Sequence, residues 1–320
     1  MTDHEFSPID PATWLERLRD KQGLRPLCYA MYSSFVDGVV TDPRLMMVPV
    51  DDHMVHRGDA VFETLKCVDS GIYNLRPHIE RLMVSATGIG LTHSYSIGEL
   101  EQLVVRTTRV AKQTSALIRI LLSRGTGSMG VNPYDCVRPE LYIIVSPAKP
   151  SFMERKPTGA QIAFTRIPAK PAPFAAIKHC NYLPNAMMAK EAADRAVDFV
   201  ISCGADGRIL EGPTENIALI TADNALVAPD TPDILPGTTL ARLMELASSL
   251  KAEGLLRDVR HQTLYADDVA TAREIFIAGT SHDIIAVTQV DQRLYPIGPI
   301  YQRLHAALQE DIRVHRTAIE

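Results

Sequence analysis

The run Ala176-Ile177-Lys178-His179-Cys180-Asn181-Tyr182-Leu183-Pro184-Asn185 carries one lysine in otherwise uncharged surroundings. Upstream, Pro171 and Pro173 favour an extended chain. Pro184 suits the first turn of a helix. Ala186, Ala189, Ala193 and Ala196 then recur at helical spacing, which predicts a small-residue packing face. Lys178 therefore stands just before a helix, at the edge of a core. Lysine is rarely buried without a purpose. Burial and nearby positive charge lower an ammonium from its free pKa of about 10.4, and a lysine so lowered can form a Schiff base with an aldehyde. The ordinary alternative is a lysine whose stem packs while its head reaches water.

The 320 residues suggest one large or two moderate domains. Apolar residues make up 46% of them, enough for a sizeable core. No apolar run approaches the ~18 residues that a membrane-crossing helix needs, and the opening Met1-Thr2-Asp3-His4-Glu5 lacks the positive start of a signal peptide. A net charge of −5 gives no footprint for nucleic acid. Cys28, Cys67, Cys136, Cys180 and Cys203 are scattered and odd in number, which fits reduced thiols in a cytoplasmic protein. The ten histidines form no HExxH, so no metal is expected.

Residues 11–21 read as a short amphipathic helix, 27–35 as a strand with an Asp37-Gly38 turn, and 45–50 as another strand. The cluster at 51–59, DDHMVHRGD, reads as a solvated loop or a pocket rim leading into an alternating strand at 60–68. Residues 76–91 and 96–113 read as helices, the second with a Ser96/Glu99 capping box. Spacing alone places Arg81 on an exposed helix face. Residues 124–130 spell GxGxxG after a strand. The following Val131-Asn132-Pro133 does not open a helix, so the glycines are expected to shape a loop near another backbone or a ligand rather than bind a dinucleotide. The proline- and charge-rich stretch 148–158 reads as a linker between a smaller domain, 1–147, and a larger one, 159–320.

The second half opens with a strand at 161–165 before the Lys178 segment and its helix, and strands at 197–202, 208–210, 217–220 and 225–228 then suggest an antiparallel meander. Glu211 ends one of them, where Gly212-Pro213 breaks the chain. It is either an edge carboxylate or one aimed into a pocket. Leu235-Pro236-Gly237-Thr238-Thr239 opens a helix whose free N–H groups and hydroxyls could seat an anion or merely cap the helix. A strand at 274–278, the turn Gly279-Thr280-Ser281, a strand at 284–290 and a helix at 299–313 complete the chain.

Together these pieces supply what pyridoxal phosphate needs: an amine, a carboxylate for the ring nitrogen and an anion seat. The motifs IKHCNYL, ILEGPTEN, LPGTT and AGTS, over roughly residues 32–290, resemble the class-IV aminotransferases, the fold-type IV pyridoxal-phosphate enzymes. The resemblance implies an α/β (α+β) fold of two domains with the cofactor between them, in a homodimer. It implies that Lys178 bonds the cofactor, Arg81, Thr238, Thr239 and Thr280 bind its phosphate, Tyr182 lies beside its ring oxygen and Glu211 meets its ring nitrogen. It further implies an amino-acid donor and a 2-oxo acid acceptor, with Ser281 beside the substrate.

The subfamily marks are mixed. SMGVNP and Arg119 resemble branched-chain enzymes, although Leu117 stands where those have tyrosine. YSSFVDGVVTDP and DDHMVHRGDAVFET resemble plant-type D-amino-acid transaminases or the lyase, although Met129 stands where D-amino-acid enzymes and the lyase have a late arginine. Arg57, Arg119 and Arg124 are the candidates for the substrate carboxylate. The expected reaction is amino transfer from a branched-chain-like or D-amino acid, or an amine, to a 2-oxo acid, and aminodeoxychorismate-lyase chemistry is the alternative.

Overall fold

The computed structural model describes residues 8–19, 28–230 and 233–319. Helix α1 (Pro11–Arg19) precedes β1 (Ala30–Ser33) and β2 (Gly38–Val40), and then α2 (His53–Arg57) leads into β3 (Ala60–Val68) and β4 (Gly71–Tyr73). Two helices follow, α3 (Leu75–Gly88) and α4 (Ile97–Val110), and then β5 (Ala116–Ser123) and β6 (Glu140–Pro147). Ser96 and Glu99 form the expected capping box on α4. Alternation in β5 sends Ala116, Ile118, Ile120 and Leu122 into a core beneath α3 and α4, and leaves Leu117 and Arg119 on the other face.

The second half runs α5 (Phe152–Arg155), β7 (Ala160–Phe164), α6 (Leu183–Asp194), β8 (Phe199–Ile201), β9 (Asn216–Ile220), β10 (Ala225–Ala228) and α7 (Thr238–Ala252). Then come β11 (Asp258–His261), α8 (Ala266–Thr271), β12 (Glu274–Gly279), β13 (Asp283–Val290), β14 (Arg293–Leu294), α9 (Pro299–Val314) and β15 (Arg316–Ala318). One sheet has the order β15-β4-β3-β5-β6-β1-β2, and the other β11-β10-β9-β12-β13-β7-β8. Helices α7 and α9 pack over the second sheet through Leu240, Leu243, Leu304 and Leu308.

The structure corrects several expectations. Residues 45–50 form no strand: a short 3-10 turn, Pro43–Leu45, capped by Asp42, precedes an irregular run. The cluster at 51–59 is no solvated loop, because Asp52 and His53 are buried and Asp52 caps α2. Asp52 also accepts from the Ser123 and Tyr142 hydroxyls. The meander holds only for β9 and β10; β11 joins β10 in parallel after α7 crosses over, and 208–210 makes only an isolated bridge. The alanine stripe of α6 faces outward, and Asn185, Met188 and Ala192 are buried instead. Alanine's helix propensity carries no requirement for burial.

The stretch 148–158 contains α5, whose Phe152 is buried in the second core. Strand β15, inside the range 159–320, pairs antiparallel with β4 of the first sheet. The halves are also fastened by Tyr73, which packs with Leu240 and Leu304 and donates its hydroxyl to Asp311 at 2.6 Å. The expected ends of the strand at 27–35 and of the helix at 11–21 fall partly outside the described residues.

Candidate active site

Lys178 follows a 3-10 turn, Phe174–Ala176, and then runs beside the start of β3. The Phe62 N–H donates to the Lys178 carbonyl at 2.9 Å, and the Cys180 N–H donates to the Ala60 carbonyl at 2.8 Å. The lysine from the second half is thus stitched to the first sheet, which local sequence did not reveal. Lys178 is 8% exposed. Its Nζ donates to the Tyr182 hydroxyl at 3.2 Å and lies 4.5 Å from the centroid of the Phe62 ring. Burial, reinforced by the Arg81 charge, brings its ammonium down to about 8. Burial pushes the Tyr182 phenol well up, so it stays protonated.

A cavity of about 230 Å³ opens at this amine. Neighbouring strands β3 and β5, in register at Thr64 and Arg119, present Phe62, Thr64, Leu117 and Arg119 to it. Its far wall is Arg81, Gly237, Thr238 and Thr239, with Thr280 and Ser281 from the β12–β13 turn. Gly237 caps α7 in a tight place: a Cβ there would lie 1.8 Å from the Asn216 Oδ1. The first-turn N–H groups of α7 have no helical acceptor and make an anion seat.

Arg81 is not the exposed arginine that spacing suggested; 9% of its side chain is exposed. Its Nε and one terminal nitrogen donate to the two Glu63 oxygens at 2.7 and 2.8 Å, and the other terminal nitrogen donates to the Pro236 carbonyl at 2.9 Å. That leaves two of the five guanidinium N–H groups for a ligand. Glu63 is fully buried and also contacts His78 Nδ1 at 2.7 Å. Burial by itself would raise this carboxyl, but the Arg81 and His78 partners outweigh it and hold it at about 2. His78 in turn meets the Thr238 hydroxyl at 3.3 Å. Sequence reasoning missed Glu63 and His78. The available signal was an acidic residue pointing inward from an alternating strand.

Glu211 does not line this cavity. It borders a smaller one with Lys170 and Asn185, behind Asn216 and Leu235, which line the first. The Leu235 N–H at 2.9 Å and the Asn216 amide at 3.3 Å both donate to Glu211 Oε2. Burial pushes Glu211 up to about 7, against the pull of Lys170 and Lys178. Arg124 is committed elsewhere: it pairs with both Asp59 oxygens and donates to the Ile89 and Gly90 carbonyls. Arg57 is bound to the carbonyls of His56, Met129 and Gly130 and faces a separate groove. Of the three arginines, only Arg119 lines the Lys178 cavity, over the same Phe62 ring at 5.5 Å. The glycine loop approaches backbone, as expected: a Cβ on Gly125 would lie 1.8 Å from the Arg138 carbonyl oxygen.

A buried, partly neutral lysine facing an arginine and a helix N-terminus brings together an amine able to bond an aldehyde and donors able to hold an anion. The chain belongs to the class IV aminotransferases, whose family model, described as Amino-transferase class IV, matches residues 60–290. Its reaction is amino-group transfer, in a family that uses pyridoxal phosphate. It is 34% identical over 302 residues to the chloroplastic D-amino-acid transaminase of Arabidopsis thaliana, covering 93% of this chain and 80% of that one. It is 31% identical to a putative branched-chain-amino-acid aminotransferase of Methanocaldococcus jannaschii, covering 87% of this chain and 96% of the relative. The branched-chain amino acid aminotransferase of Escherichia coli superposes with a TM-score of 0.82 at 26% identity, covering 92% of this chain and all of the other. Among the described residues no helix is long and apolar enough to cross a membrane.

Proposed function

We propose that the 230 Å³ cavity holds pyridoxal 5′-phosphate, and that the chain transfers amino groups between apolar α-amino acids and 2-oxo acids. The donor set fits that group. Lys178 offers an amine, Arg81 and the α7 N-terminus with Thr238 and Thr239 offer anion donors, and Thr280 lies on the same wall. Glu211 stands one layer behind Asn216 and Leu235, close enough for its charge to act on Lys178 and Tyr182, and is the carboxylate that would meet the ring nitrogen once the group fills the cavity. When bound, the cofactor supplies an electrophilic carbon and a ring that accepts the electron pair left on a substrate's α-carbon. Lys178, once released and neutral, takes the α-proton on Nζ and hands it back. Tyr182 holds that nitrogen in place through its hydroxyl. Phe62 and Leu117 keep water from the amine and favour an apolar side chain.

The observation that carries the substrate class is Arg119. It stands over the ring that also carries Lys178 Nζ, so an α-carboxylate can meet the guanidinium while its amino group reaches the lysine. The relatives named above are transaminases, and the lyase alternative is not carried forward. We also infer a homodimer. Val131, Phe174 and Leu183 are exposed and line an open groove with Arg57, and Met129, Tyr134 and Val137 stand exposed on the neighbouring loop. Such apolar surface supports self-association. Five free cysteines suit a reducing, cytoplasmic setting.

The test is to load the protein with pyridoxal phosphate and add L-amino acids, D-amino acids and R-amines in turn. Apolar amino acids of one hand should bleach the long-wavelength absorbance of the lysine-bound cofactor. Amines without a carboxylate should do so far more slowly. Equal bleaching by such amines would remove Arg119 from its role, and turnover retained in Lys178→Ala would end the assignment.

A further inference from the structure

A second lysine, largely covered, stands behind the site and has no part in the roles above. Only 11% of the Lys170 side chain is exposed, although neither a helix nor a strand carries it. Its Nζ lies 4.0 Å from Glu211 Oε1 and 5.2 Å from the centroid of the Tyr182 ring. Tyr182 is the same residue whose hydroxyl takes Lys178 Nζ. The two oxygens of Glu211 are therefore treated differently. Oε2 is held by fixed neutral donors, the Leu235 N–H and the Asn216 amide. Oε1 has a cation beside it.

We propose that Lys170 is a positioning residue that biases the proton shared between Glu211 and the cofactor's ring nitrogen onto the ring. The proposal rests on the reading of Glu211 as the partner of that nitrogen. A cation next to one oxygen stabilises the carboxylate over the carboxylic acid. Burial pushes Glu211 up to about 7, so near neutral pH this preference sets where the proton sits. The other charged groups facing Glu211 do not replace it. Lys178 is to be consumed in bonding the cofactor, and Glu215 pushes Glu211 the opposite way. Asp233, which borders the same small cavity, is paired with Arg208. Without the Lys170 charge the proton would stay on Glu211, and a ring nitrogen beside it would be left neutral and so a weaker electron sink.

The experiment uses the holoenzyme loaded with pyridoxal phosphate carrying ¹⁵N at the ring nitrogen, followed by NMR over roughly pH 6–9. Wild type and Lys170→Arg should show the protonated-ring signal. Lys170→Met should move that signal toward the unprotonated position, and the acid limb of its kcat profile should shift upward by about one pH unit. Glu211→Gln should move the signal as well. A Lys170→Met signal identical to wild type, with Glu211→Gln displaced, would overturn the role of Lys170 alone. An undisplaced Glu211→Gln signal would overturn the reading of Glu211 and this proposal with it. Equal displacement in Lys170→Arg and Lys170→Met would show that charge is not the cause, and would also overturn it.

Discussion

At the scale of single residues, reactivity and stability oppose each other at Lys178. Its folded pKa of about 8 lies below the ordinary 10.5. The folded state therefore binds this proton less tightly than the unfolded chain does. The resulting penalty is full below pH 8 and is relieved as pH rises from 8 to 10.5. Lys178→Met should then be inactive when supplied with pyridoxal phosphate, yet without cofactor it should be more stable than cofactor-free wild type at pH 7, by up to about 3 kcal/mol. The gap should close between pH 8 and 10.5 in urea titrations of both proteins. Arg119 belongs to the same scale. Arg119→Gln removes a charge-assisted hydrogen bond worth about 1.5–3 kcal/mol. Its KM for amino acids should rise about 10- to 100-fold, while its affinity for pyridoxal phosphate holds. Steady-state kinetics beside equilibrium dialysis separates the two.

At the scale of elements, the anion seat depends on how α7 begins. Asn216 at the start of β9 donates to the Leu235 carbonyl at 3.0 Å and to Glu211, and the bare Cα of Gly237 lets it do so. Gly237 has ordinary negative φ, so the demand is for space and not for a left-handed backbone. Gly237→Ala should cost about 1–3 kcal/mol through overpacking. It should also weaken cofactor binding, because the first turn of α7 must move. Thermal melting with and without pyridoxal phosphate reads both effects. A melting point unchanged in the absence of cofactor would show that Asn216 can step aside. On the same wall, α3 and β3 share the Glu63–Arg81 pair, which fixes the guanidinium before any ligand arrives.

At the scale of the whole molecule, the chain closes on itself. Strand β15 adds to the edge of β4, Ile319 enters the first core and its carbonyl accepts from Arg109. The helices of the second half are thereby tied back to the sheet that presents Phe62 and Arg119. Removing residues 316–320 should lower stability by about 2–4 kcal/mol, from the burial of Ile319 and the lost edge pairing. Loss of cofactor should follow at a lower urea concentration than in the full chain. Sedimentation should report the same association state for the truncated protein as for the full chain, because the exposed apolar groove of Arg57, Val131 and Leu183 is untouched.

Much of this was legible in local patterns. The Ser96/Glu99 box, the alternation of 116–122 and the Pro-Gly-Thr-Thr start of α7 each encode a short-range preference, and each element formed within a few residues of expectation. The family was readable for the same reason, because a motif is local, and the lysine and threonines of those motifs line one cavity. Partnership across the chain was not. Local spacing showed Arg81 as a surface residue because Glu63, eighteen positions earlier, is brought to it only by packing. The pairing of Lys178 with β3, the commitment of Arg124 to Asp59 and the seat of Lys170 beside Glu211 are likewise long-range facts. A residue's type sets the chemistry it can perform, but its charge state and direction depend on neighbours that only the folded chain assembles.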